Sequence, residues 1–406
     1  MAGGVARYSF RLDAAQLGRL RAVRVHLLPS SDDAATAGWF LEEVRLVRAS
    51  TALLRFPCRR WLGTSDSGGA VFPADVEVAA LAGGSHAEAA PPPPPLLARP
   101  LALRAGAAAV PHPDKVKAGC RATVRGDAGD AGEDAYFIAP WAAPGLHPGC
   151  LAVGVADGVY MWREQGIDAG AFSRALCAAA AEGARLGVAP TPLRLLQAAY
   201  SRLAAAALQG SCTICVVLVD AARGLLRSAN VGDSGYLLMA AGARGAGPAA
   251  AQAAWHPSGV TYRSPHQEHE FGRPYQLGHH AASDRPEDAM LHTARLAPGD
   301  VLILGSDGLW DNLHDVEIAE RVQAGVAAGA APAAIARSVV AAAHEASTRR
   351  RGSTPYSVAA TEAFDMVYCG GKADDICVVC VIVDEEKEDG ASEEKRVSRA
   401  DPRAKE

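Results

Sequence analysis

The chain has 406 residues, 49% of them hydrophobic and 21% charged, with a net charge of -5. This is the composition of a globular protein long enough for one large domain and a smaller one, and its slight acidity gives no electrostatic case for a nucleic-acid partner. No apolar run approaches the ~20 residues of a membrane-spanning helix and no apolar signal region follows Met1, so the expectation is a soluble intracellular protein, with cytoplasm, plastid and mitochondrion left open.

Residues 1–70 hold alternating strand-like segments, RYSFRL, RAVRVHLL, WFLEEVRLV and ALLRFPC. Residues 71–104 pass into Ala and Gly and then PPPPP at 91–95, a stiff spacer that marks a domain boundary. Residues 105–385 form the large domain. Residues 386–406 carry almost no apolar side chains and read as a solvated, disordered tail.

Within the large domain the apolar runs CLAVGVAD, TICVVLVD, LLRSANVGD, DVLILGSD and DICVVCVIVD read as buried strands. Ala-rich stretches over 169–187, 193–208, 315–327 and 332–347 read as two pairs of helices, with Pro192 and Pro332 at helix starts. The predicted fold class is α+β: an α-β-β-α sandwich of two mainly antiparallel sheets flanked by helix pairs. AAGARGAGPAAAQAA (240–254) reads as an insertion loop.

Nine cysteines, an odd count, fit reduced thiols better than a disulfide framework. CTIC (212–215) and CVVC (377–380) have zinc-knuckle spacing. Both lie in β-branched runs without a turn, where positions i and i+3 point to opposite faces, so they are expected to be core thiols. GDSG (232–235) and AAAH (341–344) look like protease boxes, but His344 follows Ser234 in the chain and sits in a helical pattern.

The chemistry is concentrated at strand ends. Glu133-Asp134, Asp157-Gly158, Asp233, Asp307 with Asp311, and Asp374-Asp375 all flank apolar runs. One such acid is an ordinary turn residue. Five sites in one domain would repel one another and lose hydration unless cations neutralised them. Carboxylates are hard oxygen ligands that select Mg²⁺ or Mn²⁺.

The motifs GEDAYF, GVADGV with Trp162, ANVGDSGYL, GSDGLWDN and GGKADDICVV, in this order, resemble the signature of the metal-dependent type 2C (PPM) Ser/Thr protein phosphatases across residues 108–384. PHPDK (111–115) and GRPYQLG (272–278) are most similar to the plant and mitochondrial branch. The resemblance implies hydrolysis of phosphoserine and phosphothreonine in protein substrates by water activated between two Mg²⁺ or Mn²⁺ ions, without a phosphoenzyme. It implies Asp157 as the ligand bridging both ions, with the Gly158 carbonyl capping one. Asp307 and Asp375 match ligands of the second ion, Glu133 and Asp134 the acidic pair at the first, and Asp233 and Asp311 a third, weaker site.

Two departures accompany the resemblance. The Arg that many members carry about four residues before the Glu-Asp pair is missing, leaving Arg125 and Lys115 as the phosphate-binding candidates. Val159 stands where many members have His. These departures leave an alternative, a catalytically weak scaffold of the same fold acting through its docking module. Residues 37–62, GWFLEEVRLV through FPCRRWL, resemble the closing half of a PLAT (lipoxygenase-homology) β-sandwich, which implies docking of residues 1–70 on a membrane surface or a protein partner.

Overall fold

The protein is described from a computed structural model that covers residues 95–240 and 259–386 in full and, before residue 95, only the backbone of four strands. The chain divides into two units, Met1–Pro93 and Pro94–Glu406. In the first, β1 (Ala22–His26) pairs antiparallel with β4 (Asp75–Ala79), and β2 (Trp39–Arg48) with β3 (Thr51–Leu62). Otherwise the expected PLAT-like module, the insertion loop after Ala240 and the charged tail lie outside the described residues. The second unit starts before the predicted boundary, because β5 (Leu101–Val110) is a full member of its sheet.

Two antiparallel sheets form the second unit. The larger runs in space as β18 (Met290–Arg295), β12 (Leu225–Val231), β11 (Ile214–Asp220), β9 (Leu151–Asp157), β8 (Asp134–Pro140), β7 (Ala128–Ala131) and β6 (Thr123–Val124). The smaller runs as β14 (Val260–Arg263), β13 (Gly235–Met239), β19 (Val301–Gly305), β20 (Ile376–Glu385) and β5. Short pairs join β10 (Ser211–Cys212) to β17 (Leu277–Gly278) and β15 (Glu268–Glu270) to β16 (Arg273–Pro274).

Strand alternation decides the layers. Leu302 and Leu304 of β19, with Cys377, Val379, Val381 and Val383 of β20, join the core shared with the larger sheet. Val301, Ile303, Ile376, Val378, Cys380 and Ile382 point the other way, into a second core under the helices. Cys377 and Cys380 therefore face opposite sides of one strand, and the eight described cysteines are free thiols.

A short helix α1 (Pro113–Lys117) follows β5. Helices α2 (Ala169–Arg185) and α3 (Pro192–Ala205) cover the larger sheet. Asp168 caps the first by accepting from Gly170 N (3.0 Å), and Thr191 caps the second ahead of Pro192. After the one-turn α4 (Asp307–Trp310), α5 (Asp315–Ala327) and α6 (Pro332–Ser347) pair beside the smaller sheet, with α6 packed on β5 and β20. The sandwich expected from sequence is the observed fold. It adds α7 (Pro355–Phe364), which the Ala-rich patterns did not mark, closed by a reciprocal cap between Thr354 and Ser357.

Candidate active site

Register brings the acids together. Asp134, the first residue of β8, is the cross-strand partner of Asp157, the last residue of β9. Val231 closes β12 opposite Ile214, next to the β11 residue that pairs with Val155, so β12 ends at this same edge. The turn after Val231 carries Asp233 and enters β13, crossing from one sheet to the other. Gly232 takes the left-handed conformation that this turn requires, with φ +99°. Across β13, Gly235 pairs with Gly305, and Gly305 with Val378 of β20. Asp307 follows the end of β19 and Asp374 precedes the start of β20, so both sheets offer acids at one shared edge.

These carboxyls are buried. Asp134 is 1% exposed, and neither of its oxygens meets hydrogen-bond geometry with a neighbour, although the Ser306 hydroxyl is close enough to favour its charged form. Asp233 Oδ1 and Asp307 Oδ1 are likewise buried without a partner. Burial, then the neighbouring carboxylates, raises Asp134 and Asp157 well above the usual range. Asp233 is raised for the same reasons. Burial followed by opposition from the Lys372 charge leaves Asp311 at about 6, and burial with the Asp307 charge lifts Asp374 to about 7. Burial pushes on Asp307 as well, but the Lys372 ammonium outweighs it and holds that carboxyl low.

The structure separates the two acids of the Asp374-Asp375 pair. The Asp375 carboxylate accepts from His112 N (2.7 Å), Glu133 N (2.8 Å) and the Lys115 ammonium. It is a structural anchor, and Gly132 (φ +62°) lies so close to it that a Cβ there would meet its oxygens at 2.3 Å. Asp374 instead joins the acidic cluster through Lys372, whose Nζ is 3.2 Å from its Oδ2. The reason is alternation: in extended chain, residues 372 and 374 share a side and 375 takes the other.

Glu133 is brought to the site, with its carboxylate held between Lys115 and Arg163. Gly158 sits where α2 begins, and a Cβ on it would meet the Ala169 carbonyl at 2.3 Å. Lys115 reaches the site but is engaged by Glu133 and Asp375 together. Arg125 does not reach it. Its carbonyl accepts from the Tyr136 hydroxyl (2.7 Å), and it sits at the β6–β7 hairpin tip, where Asp127 O accepts from Ile138 N. Ile138 is four residues along β8 from Asp134, roughly 13 Å at strand rise.

Sequence reasoning missed three participants, Asp374 as the cluster's acid, Lys372 and Arg163. Arg163 lies in the 3₁₀ turn Tyr160–Gln165 that follows Asp157-Gly158 and is 52% exposed while it bonds Glu133. Beside that turn, Trp162 and Gln165 help line a cleft of about 480 Å³ with Gln276 and His279, joining the GRPYQLG motif to the site's flank. Ser234 is buried against Thr213 Oγ1 (2.7 Å), which removes the protease resemblance.

As placed, the acids are neighbours but not a finished cage: among the described residues no three His, Cys, Asp or Glu side chains close on one point. The four buried, unpartnered carboxylate oxygens of Asp134, Asp233 and Asp307 are nonetheless a donor set of the hard kind that suits Mg²⁺ or Mn²⁺.

Comparison with known proteins identifies the lineage. The family model for stage II sporulation protein E (SpoIIE) matches residues 147–384. Probable protein phosphatase 2C 26 of Arabidopsis thaliana is 31% identical over 293 residues, which cover 69% of this chain and 83% of that one. This chain belongs to the type 2C protein phosphatase family. Another type 2C relative, probable protein phosphatase 2C 55 of Arabidopsis thaliana, is 35% identical over 297 residues, 73% of this chain. The chain spans about half the length of that relative (55%). Among solved structures, the photosystem II phosphatase PBCP is similar at 27% identity and a TM-score of 0.54, over 69% of this chain and 98% of that one. No helix among the described residues is long and apolar enough to cross a membrane.

Proposed function

We propose that this protein hydrolyses phosphoserine and phosphothreonine in protein substrates with the help of two Mg²⁺ or Mn²⁺ ions. The observation that carries the reading is the convergence of Asp134, Asp157, Asp233, Asp307 and Asp374 from separate strand ends, with buried oxygens of Asp134, Asp233 and Asp307 left unpartnered. Asp134, Asp157 and Asp307 would hold the ions, with Asp374 taking the ligand place that resemblance had given to Asp375 and the Gly158 carbonyl beside them. When bound, such ions lower the pKa of water and offset charge on phosphoryl oxygens.

The chain's own residues do the rest. Asp375 and Lys115 lock the Glu133 loop to the start of β20. Arg163, half exposed at the rim, is the guanidinium that grips the substrate phosphate, with Lys115 behind it. The scaffold alternative rests on Val159 and on the misplaced Arg125. A docking role for residues 1–70, on a membrane surface or a protein, rests on sequence resemblance, and liposome flotation and pulldown of chains with and without those residues test it.

Release of phosphate from a phosphoserine peptide, with Mn²⁺ and with chelator, tests the main reading. Turnover only with metal, abolished by Asp157→Asn, supports it. No turnover in Mn²⁺ by a folded wild type contradicts it and leaves the scaffold.

A further inference from the structure

Lys372 is fixed before it reaches the acids. Its backbone N donates to Asn312 Oδ1 (3.0 Å), and Asn312 Nδ2 donates back to its carbonyl (2.8 Å) and to Gly308 O (2.9 Å). This buried amide clamp ties the lysine to α4, the helix that Asp307 begins. From there Nζ lies 2.5 Å from Asp307 Oδ2, 2.8 Å from Asp311 Oδ2 and 3.2 Å from Asp374 Oδ2. The contacts leave one Asp307 oxygen over. Asp307 Oδ1 stays buried and unpartnered, while Asp374 Oδ1 accepts from Asp375 N (2.9 Å).

Charge and space then point the same way. Asp134, Asp157, Asp233, Asp307, Asp311 and Asp374 together bring six negative charges when ionised. Two divalent ions supply four positive charges, and one ammonium brings the site close to neutrality. A further Mg²⁺ or Mn²⁺ bound to Asp307 Oδ2 and Asp311 Oδ2 would sit about 2.1 Å from each, in the volume that the ammonium nitrogen fills.

We propose that Lys372 is a built-in cation of this site: its ammonium holds the place beside Asp307 and Asp311 that a third divalent ion would take, so the chain loads two ions and no third. This rests on the metal-dependent reading above. Asp307 can serve both neighbours, with Oδ2 on the lysine and the unpartnered Oδ1 left for an ion. The outer end of the site carries a charge that does not dissociate at low metal concentration.

The test is a count of Mn²⁺ per chain at saturation, by calorimetry and by elemental analysis, for the full-length wild type, Lys372→Met and Lys372→Arg. Two ions on the wild type and on Lys372→Arg, rising to three on Lys372→Met, support the proposal. Three on the wild type, or two on a folded Lys372→Met, overturn it. None on the wild type overturns the metal-dependent reading itself, an outcome distinct from either. Should Lys372→Met not fold, the wild-type count still decides, with two ions supporting the proposal and three overturning it. Thermal unfolding of the wild type and Lys372→Arg in chelator gives a second readout. Equal midpoints support charge as the role of residue 372, and a midpoint for the arginine variant as low as that of Asn312→Ala overturns it.

Discussion

Asp134 and Asp157 are direct cross-strand partners, one opening β8 and the other closing β9. Two carboxylates placed opposite each other repel, and here burial adds a desolvation cost that raises both. Asp157→Asn removes one of these charges while keeping its shape. The expected outcome is opposite effects on activity and stability: loss of phosphatase activity by more than about a hundredfold, and a higher unfolding midpoint than wild type in chelator. Peptide dephosphorylation and differential scanning fluorimetry check the two halves.

The metal-free protein has an inverted pH dependence in the neutral range. Asp311 and Asp374, lifted to about 6 and about 7 by burial ahead of the charges around them, keep protons that the unfolded chain releases near pH 4. Unfolding between those limits therefore releases protons, and stability falls as pH rises. Asp307, held low against its burial by Lys372, works in the other direction but only at the acid end. In chelator the unfolding midpoint should drop from pH 5 to pH 8, and Mn²⁺ should restore it most at pH 8.

Asp374 and Asp375 are adjacent acids with separable duties. Asp374→Ala should weaken Mn²⁺ binding by about tenfold to a hundredfold, with the fold intact. Asp375→Ala should cost stability, because it leaves His112 N, Glu133 N and Lys115 without their acceptor, an effect of about 3–5 kcal/mol for a broken buried ion pair. Calorimetry with Mn²⁺ and urea denaturation separate the two variants.

Arg163 and Arg125 provide a matched pair. Arg163→Ala should raise the KM for a phosphopeptide by about tenfold, the loss of one charge-assisted contact. Arg125→Ala, at the hairpin tip, should stay within about twofold of wild type. Steady-state kinetics on one peptide gives both numbers.

The layered fold was legible because its signals are local. Five apolar runs and two pairs of Ala-rich stretches mark strands and helices, and Pro192 and Pro332 mark starts that the structure keeps. The acids at strand ends were legible as a group for the same reason. What was not legible depends on register. Nothing in GDAGDAG says that β6 and β7 fold back so that Arg125 sits at the hairpin tip against the Tyr136 hydroxyl and away from Asp134. The choice between Asp374 and Asp375 was within reach, since Lys372 and Asp374 are two apart in extended chain and share a side. Lys372 itself gave no warning, because a lysine beside glycines reads as a surface residue until the Asn312 clamp turns it inward. Thr354 and Pro355 carried a helix start ahead of α7, but its apolar spacing is weak and its face half exposed.

The most direct test of the account is anomalous scattering from crystals of the full-length protein grown in Mn²⁺. Manganese peaks are expected between Asp134, Asp157, Asp307 and Asp374, with the Asp375 carboxylate still on Lys115 and the Glu133 backbone. Crystals without manganese at these acids, or with the metal seated on Asp375 in place of Asp374, would contradict it.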